Sequence, residues 1–152
     1  IFELTGKSVA QIFYENILKQ LGPNGEMHWV ADKKGRTVSL ARLVMTAPDW
    51  NLFGQFIINE VKAESCMGKF FKEGINTSVP TTRENVKYGF QFWVYDVDGE
   101  SAITMTGHGG LFNVLSVKKN TVISIFSVDE KYQAGNLFSS GVLTTVASEI
   151  VD

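Results

Sequence analysis

The residues best placed to do chemistry lie in Thr104-Met105-Thr106-Gly107-His108-Gly109-Gly110-Leu111, which runs on into Phe112-Asn113-Val114-Leu115-Ser116-Val117. The two ends of this stretch alternate like strands, and its middle combines glycines with a titratable side chain, His108. A histidine there can donate a hydrogen bond or carry charge, with a cationic fraction that changes near neutral pH. A histidine held by neighbouring backbone fits the same residue. Gly109 and Gly110 lack a β-carbon, which lets another molecule approach the strand closely or marks a bulge at a barrel-like edge. Gly107-x-Gly109-Gly110 also scans as a dinucleotide loop. It leads into a strand, however, so no helix N-terminus awaits a phosphate.

Other candidates for chemistry are thinner. The single cysteine, Cys66, cannot form an internal disulfide and has no histidine or basic neighbour, so it reads as a small core or surface thiol. One Cys with His28 and His108 does not make a zinc set, and no metal or cofactor is expected. Glu60, Glu64, Glu73 and Glu84 form no spaced pair of carboxylates, which leaves glycosidase chemistry without support. Asn76-Thr77-Ser78 matches a glycosylation sequon, a weak signal. A net charge of −2 with interspersed signs argues against nucleic acid or an anionic membrane as partner. No apolar run approaches the roughly 18 residues of a transmembrane helix. Ile1-Phe2-Glu3-Leu4 lacks the basic start and cleavage pattern of a signal peptide.

Such a stretch needs a scaffold. Residues 1–4 look like the tail of a helix stopped by Gly6, and a helix that short does not nucleate alone. Ser8-Val9-Ala10-Gln11 fits a capping box, and Ile12, Phe13, Ile17 and Leu21 predict a helix over 9–21 that Gly22-Pro23 ends. Residues 23–45 read as irregular, with turns at Asn24-Gly25 and Lys33-Lys34-Gly35 and a short extended piece over 27–31. Thr46 caps a second helix with Pro48 in its first turn and Asp49 at its positive end. Its expected buried stripe is Trp50, Phe53, Phe56 and Ile57, and its expected end is 58 or 59. Residues 62–83 read as a polar connector with one short helix around 66–72.

From Tyr88 the period becomes two. Strands are expected over 89–95, 102–106, 112–117 and 121–128, with turns at Asp96-Val97-Asp98-Gly99 and Lys118-Lys119-Asn120. Phe138, Val142, Val146 and Ile150 place a closing helix over about 136–151. At 152 residues, 44% apolar and 20% charged, the chain can bury one core. The expected class is α+β: an antiparallel sheet with hairpin connections, flanked by helices, in a single domain over 1–152.

Four segments, in order, resemble the C-terminal half of the serine β-lactamase and penicillin-binding-protein superfamily, most of all its class C, esterase and amino-oligomer hydrolase branch. They are Thr5-Gly6-Lys7-Ser8 with Asn16 to Gly22, then Met45-Thr46-Ala47-Pro48-Asp49-Trp50-Asn51-Leu52-Phe53-Gly54, then Tyr88-Gly89-Phe90-Gln91-Phe92-Trp93, then Gly107-His108-Gly109-Gly110 with the strand, turn and strand that follow. The resemblance implies three catalytic elements: Ser-x-x-Lys, a Tyr-x-Asn-like loop, and a Lys-Thr-Gly-like tripeptide on a strand. His108-Gly109-Gly110 stands at the third, with His for Lys and Gly for Thr. That departure makes an ester or amide a better-supported substrate than a carboxylate-bearing β-lactam.

The resemblance further implies that the Leu111 amide is one of two oxyanion-hole donors, making His108, Gly109, Gly110 and Leu111 an oxyanion and substrate-binding wall. Literal matches to the other two elements misplace the chemistry. Ser116-Val117-Lys118-Lys119 lies on a strand entering a turn, where an i, i+3 pair faces opposite sides. Tyr14-Glu15-Asn16 lies inside a capped helix and on the wrong side of Thr5-Gly6-Lys7-Ser8. The expectation is therefore a C-terminal part of a serine hydrolase, with no catalytic residue of its own and the N-terminal half missing. The alternative is a non-catalytic, truncated or degenerate domain of the same fold. Expected partners are a small ester or amide substrate, and the missing half or another chain pairing at one edge of strand 121–128. The resemblance favours a periplasmic or secreted location and leaves the cytoplasm open. Tyr88, Phe92 and Trp93 read as core and strand-pairing residues; Trp29 fits either a cleft border or a loop covering the core.

Overall fold

The computed structural model describes residues 1–97, 99–107 and 109–127. The expected closing helix over 136–151 lies outside them. The chain forms two compact units, Ile1–Phe53 and Gly54–Asp152.

In the first unit α1 (Phe2–Thr5) ends on Gly6, whose φ of 67° puts it in the left-handed region open to glycine. The capping box at Ser8 forms in full: the Ser8 hydroxyl accepts the Gln11 amide at 3.1 Å, and the Gln11 side chain accepts the Ser8 amide at 3.0 Å. The helix it starts is shorter than its apolar spacing predicts. α2 spans Val9–Asn16, Ile17 leaves the helix at φ −124°, and Leu18–Leu21 continues as a 3₁₀ turn before left-handed Gly22. The Asn16 side chain donates back to the Ile12 carbonyl at 2.8 Å, and such local competition loosens a helix end. Phe13 packs edge-on against Trp29 and Phe53, with centroids 5.7 and 5.4 Å away. The Trp29 indole donates to the carbonyls of Val38 and Ala41, so this aromatic is a tied-down cover of the unit. A short antiparallel pair, β1 (His28–Trp29) and β2 (Leu43–Val44), completes the irregular segment.

Thr46 caps α3 (Ala47–Lys62), accepting the Asp49 amide and donating to the Asp49 carboxylate at 2.7 Å. Asp49 is buried and also accepts the amides of Asn24 and Gly25 at 2.7 and 3.2 Å. The helix runs a turn beyond its expected end, because no breaker occurs before Glu64 turns left-handed at φ 55°. Its fully buried side is Gly54, Ile57, Ile58 and Val61, whereas Trp50, Phe53 and Phe56 are half-buried.

In the second unit Ser65 caps α4 (Cys66–Asn76), a full helix where a mostly irregular connector is expected. Gly68 sits against the end of α3: a β-carbon there would fall 2.0 Å from the Glu60 carbonyl oxygen. The sheet then forms a meander, β3 (Val79–Pro80), β4 (Val86–Gly89), β5 (Phe92–Val97), β6 (Glu100–Gly107), β7 (Leu111–Ser116) and β8 (Thr121–Ile125), each antiparallel to the next. The aromatic segment expected as one strand over 89–95 is thus two strands. Phe90 and Gln91 form a two-residue turn with both φ positive, at 47° and 72°. The expected class, α+β with an antiparallel sheet and helices, holds.

One face of the sheet is covered by α4 and by α3 from Gly54 onward. A β-carbon on Gly54 would meet Leu115 and Val122 at 2.7 Å, and Phe71 packs on Phe92 at 5.5 Å. On the other face Ala102, Phe112 and Val114 form a buried cluster with Val97, Ile123 and Ile125 packed against it. Among the described residues β3 and β8 are the outermost strands. Pro80 in β3 interrupts the donors of one border, while β8 is rich in β-branched residues.

Candidate functional site

Hairpin β6–β7 carries the candidate wall. Gly107 pairs with Leu111, so three residues close the turn; of these His108 lies outside the described residues. Gly109 and Gly110 have φ of 82° and 89° and are buried. The turn alone thus requires glycine at both positions, whatever approaches them. A β-carbon on Gly109 would lie 3.6 Å from the Ser127 carbonyl oxygen, an ordinary contact, so conformation rather than crowding fixes the residue type. Leu111 opens β7 and is 36% exposed, and its side chain lies over Gly107: a β-carbon there would fall 3.0 Å from the Leu111 β-carbon. The structure therefore brings Gly109, Gly110 and Leu111 together at one end of the sheet, with Gly107 beneath Leu111.

The register extends this end across the sheet. The Phe90–Gln91 turn of β4–β5 and the chain leaving β8 at Phe126 stand at the same end as the glycine turn. The Phe90–Gln91 turn falls inside the strand expected over 89–95, and neither residue favours the positive φ it adopts. Tyr88 pairs across from Trp93 with centroids 4.8 Å apart, Arg83 lies 4.9 Å over the Trp93 ring, and Phe92 is buried. These aromatics serve pairing and core packing. Beside Trp93 on β6, Thr104 is fully buried, and its hydroxyl has no hydrogen-bond partner among the described residues.

The literal Ser-x-x-Lys match is a turn device. The Ser116 hydroxyl accepts the Lys119 amide at 3.1 Å and donates to the Glu100 carboxylate at 3.2 Å, while Lys118 pairs with the other Glu100 oxygen at 2.7 Å. The hydrogen bond from Lys118 holds the Glu100 carboxyl below the usual carboxylate range, against an opposing push from burial. Tyr14-Glu15-Asn16 lies within α2, as expected. Cys66 is exposed in the first turn of α4. His28 is exposed beside Glu26 at 3.2 Å, away from any cluster. Among the described residues no group of three His, Cys, Asp or Glu could hold a metal ion. No described helix is long and apolar enough to cross a membrane.

The chain has no match among protein-family models, and no curated protein matches it.

Proposed function

We propose that this chain is the substrate-side wall of a serine acyl-hydrolase of the β-lactamase-like superfamily, acting on an ester or amide. The observation that carries the reading is the glycine hairpin. Gly109 and Gly110 stand in the turn between two long antiparallel strands and Leu111 opens the second of them, in the stretch that the resemblance reads as the third catalytic element. The order of elements around it supports the same reading: a threonine-capped helix, an aromatic hairpin, the glycine hairpin and a β-branched strand.

In this proposal a serine outside these residues attacks the acyl carbonyl, the alcohol or amine leaves, and water then releases the acid from the acyl-enzyme. The Leu111 amide is one oxyanion donor, and the amide of the nucleophile itself is the other. His108 provides a polar contact whose charge varies near neutral pH. No residue of this chain is assigned the nucleophile, since Ser116 is engaged by Glu100 and Lys119. That engagement favours, as the second reading, a non-catalytic binding domain of the same fold.

A fluorophosphonate or penicillin probe applied to the natural gene product separates the two. Labelling at a serine outside residues 1–152, read by intact mass and peptide mapping, supports the hydrolase. A natural product that is never labelled overturns it.

A further inference from the structure

Asn76-Thr77-Ser78 has the acceptor pattern for an asparagine-linked oligosaccharide, and no other asparagine in the chain has Ser or Thr two positions on. Three letters alone say little, but the fold presents them in a particular way. Asn76 is the last residue of α4, whose inward side lies on the sheet. A β-carbon on Gly74 would fall 2.6 Å from the Phe92 ring, and Phe71 packs on the same ring at 5.5 Å. Lys69, Glu73 and Asn76, spaced by four and then three residues, share the outward side, and all are exposed. Two residues past Gly74, at about 100° per residue, Asn76 points away from the side that Gly74 gives to Phe92.

The three side chains of the motif are used differently. The Thr77 hydroxyl donates to the Glu73 carbonyl at 2.8 Å, and the Ser78 hydroxyl donates to the Ile75 carbonyl at 2.7 Å. Their backbone amides reach the same two carbonyls at 2.9 and 3.2 Å, so this pair closes the last turn of α4. The Asn76 carboxamide has no hydrogen-bond partner among the described residues and stands in solvent. The fold itself makes no use of it.

We propose that Asn76 is a glycosylation site, whose side-chain nitrogen receives an oligosaccharide from a lipid diphosphate donor. The Asn76 nitrogen forms a bond to the anomeric carbon of the sugar. The bond from that carbon to the diphosphate oxygen breaks, the lipid diphosphate leaves with the electron pair, and one amide proton passes to a base of the transferase. The transferase also reads the hydroxyl of Ser78, which in the folded chain is turned back onto Ile75. Transfer therefore precedes closure of this turn. Once the turn has closed, the sugar projects from the outward side of α4, away from the packing of Gly74 and Phe71 on Phe92. The site stands apart from the hydrolase reading and does not depend on it.

The test is peptide mapping of the natural gene product by mass spectrometry, before and after treatment with a peptide-N-glycosidase. The peptide holding Asn76 is expected to carry an oligosaccharide mass, and enzymatic release is expected to leave aspartate in its place. Asn76→Gln and Ser78→Ala, expressed in the same cells, are each expected to lose that mass completely. Ser78→Thr keeps a hydroxyl at the third position and is expected to retain it. Asn76→Gln alters an exposed side chain without a described partner, so its loss reports the acceptor, and an unchanged circular dichroism spectrum checks that the fold is kept. An unmodified Asn76 in the natural product, or an oligosaccharide that persists in Ser78→Ala, overturns the assignment. Fluorophosphonate labelling bears only on the hydrolase reading, so the two fail separately.

Discussion

Asp49 and Asn24, 25 residues apart in sequence, are joined by a 2.7 Å hydrogen bond from the Asn24 amide to the buried Asp49 carboxylate. With the Gly25 amide and the Thr46 hydroxyl as further donors, one side chain both caps α3 and fixes the start of an irregular loop. Asp49→Ala is expected to destabilise the first unit by about 2–3 kcal/mol, the range for charged hydrogen bonds whose buried partners are left unpaired. Urea unfolding of the two proteins measures it.

The same carboxylate predicts a pH dependence. Burial alone would raise the Asp49 pKa, but the hydrogen bonds from Thr46, Asn24 and Gly25 outweigh it and hold the pKa below the ordinary value. A folded-state value below the unfolded one means the stabilisation is complete above the unfolded pKa, about 3.9 for Asp. It is lost as pH falls through the lower, folded value. Asp49→Asn should therefore flatten the fall in urea midpoint below pH about 4. The residual slope belongs to other carboxylates, including Glu100. An unchanged slope would show that Asp49 does not titrate with unfolding.

Gly54 is required by space. Alanine there would place a methyl 2.7 Å from both Leu115 and Val122, so Gly54→Ala should cost about 1–3 kcal/mol despite its better helix propensity. Val122 supplies two of the three crowding atoms, at 2.7 and 3.1 Å. The pair Gly54→Ala/Val122→Ala should consequently be less destabilised than the sum of its single changes, in a double-mutant cycle followed by thermal unfolding.

The Phe90–Gln91 turn holds a non-glycine residue at φ 72°. Gln91→Gly should stabilise the hairpin by about 1 kcal/mol, since glycine reaches that conformation without a β-carbon clash. The exposed hydrogen bond from Tyr88 to Gln91, at 3.2 Å, offsets little of the gain. A higher melting temperature supports this, and a lower one assigns the side chain a larger packing role.

Ser116→Ala removes a turn acceptor and a donor to Glu100, and should cost about 1 kcal/mol. Fluorophosphonate labelling of the natural product should be unchanged by it. Loss of labelling would make Ser116 the nucleophile and overturn its reading as a turn residue.

Much of this fold was legible because local signals were unambiguous. Ser8 with Gln11, and Thr46 with Asp49, announce helix starts through the donors that a first turn leaves free. The strands expected over 102–106 and 112–117, and the described part of that over 121–128, correspond to β6, β7 and β8. What escaped depended on contacts distant in sequence or on strain. Phe90 and Gln91 carry no turn signature, and α4 owes its length to packing such as Phe71 on Phe92. At the site, the glycines were visible but their reason was not: positive φ at Gly109 and Gly110 follows from a three-residue closure that spacing alone does not reveal.

The meander has a further consequence. Each described strand of the large sheet lies beside its sequence neighbour, so each hairpin closes a short loop and pays little chain entropy before the next forms. Assembly can proceed like a zip from either side, with no strand waiting for a distant partner. Such a sheet can be lengthened only at its flanks, so an additional strand, from whatever source, would pair at β3 or β8, the outermost strands among the described residues.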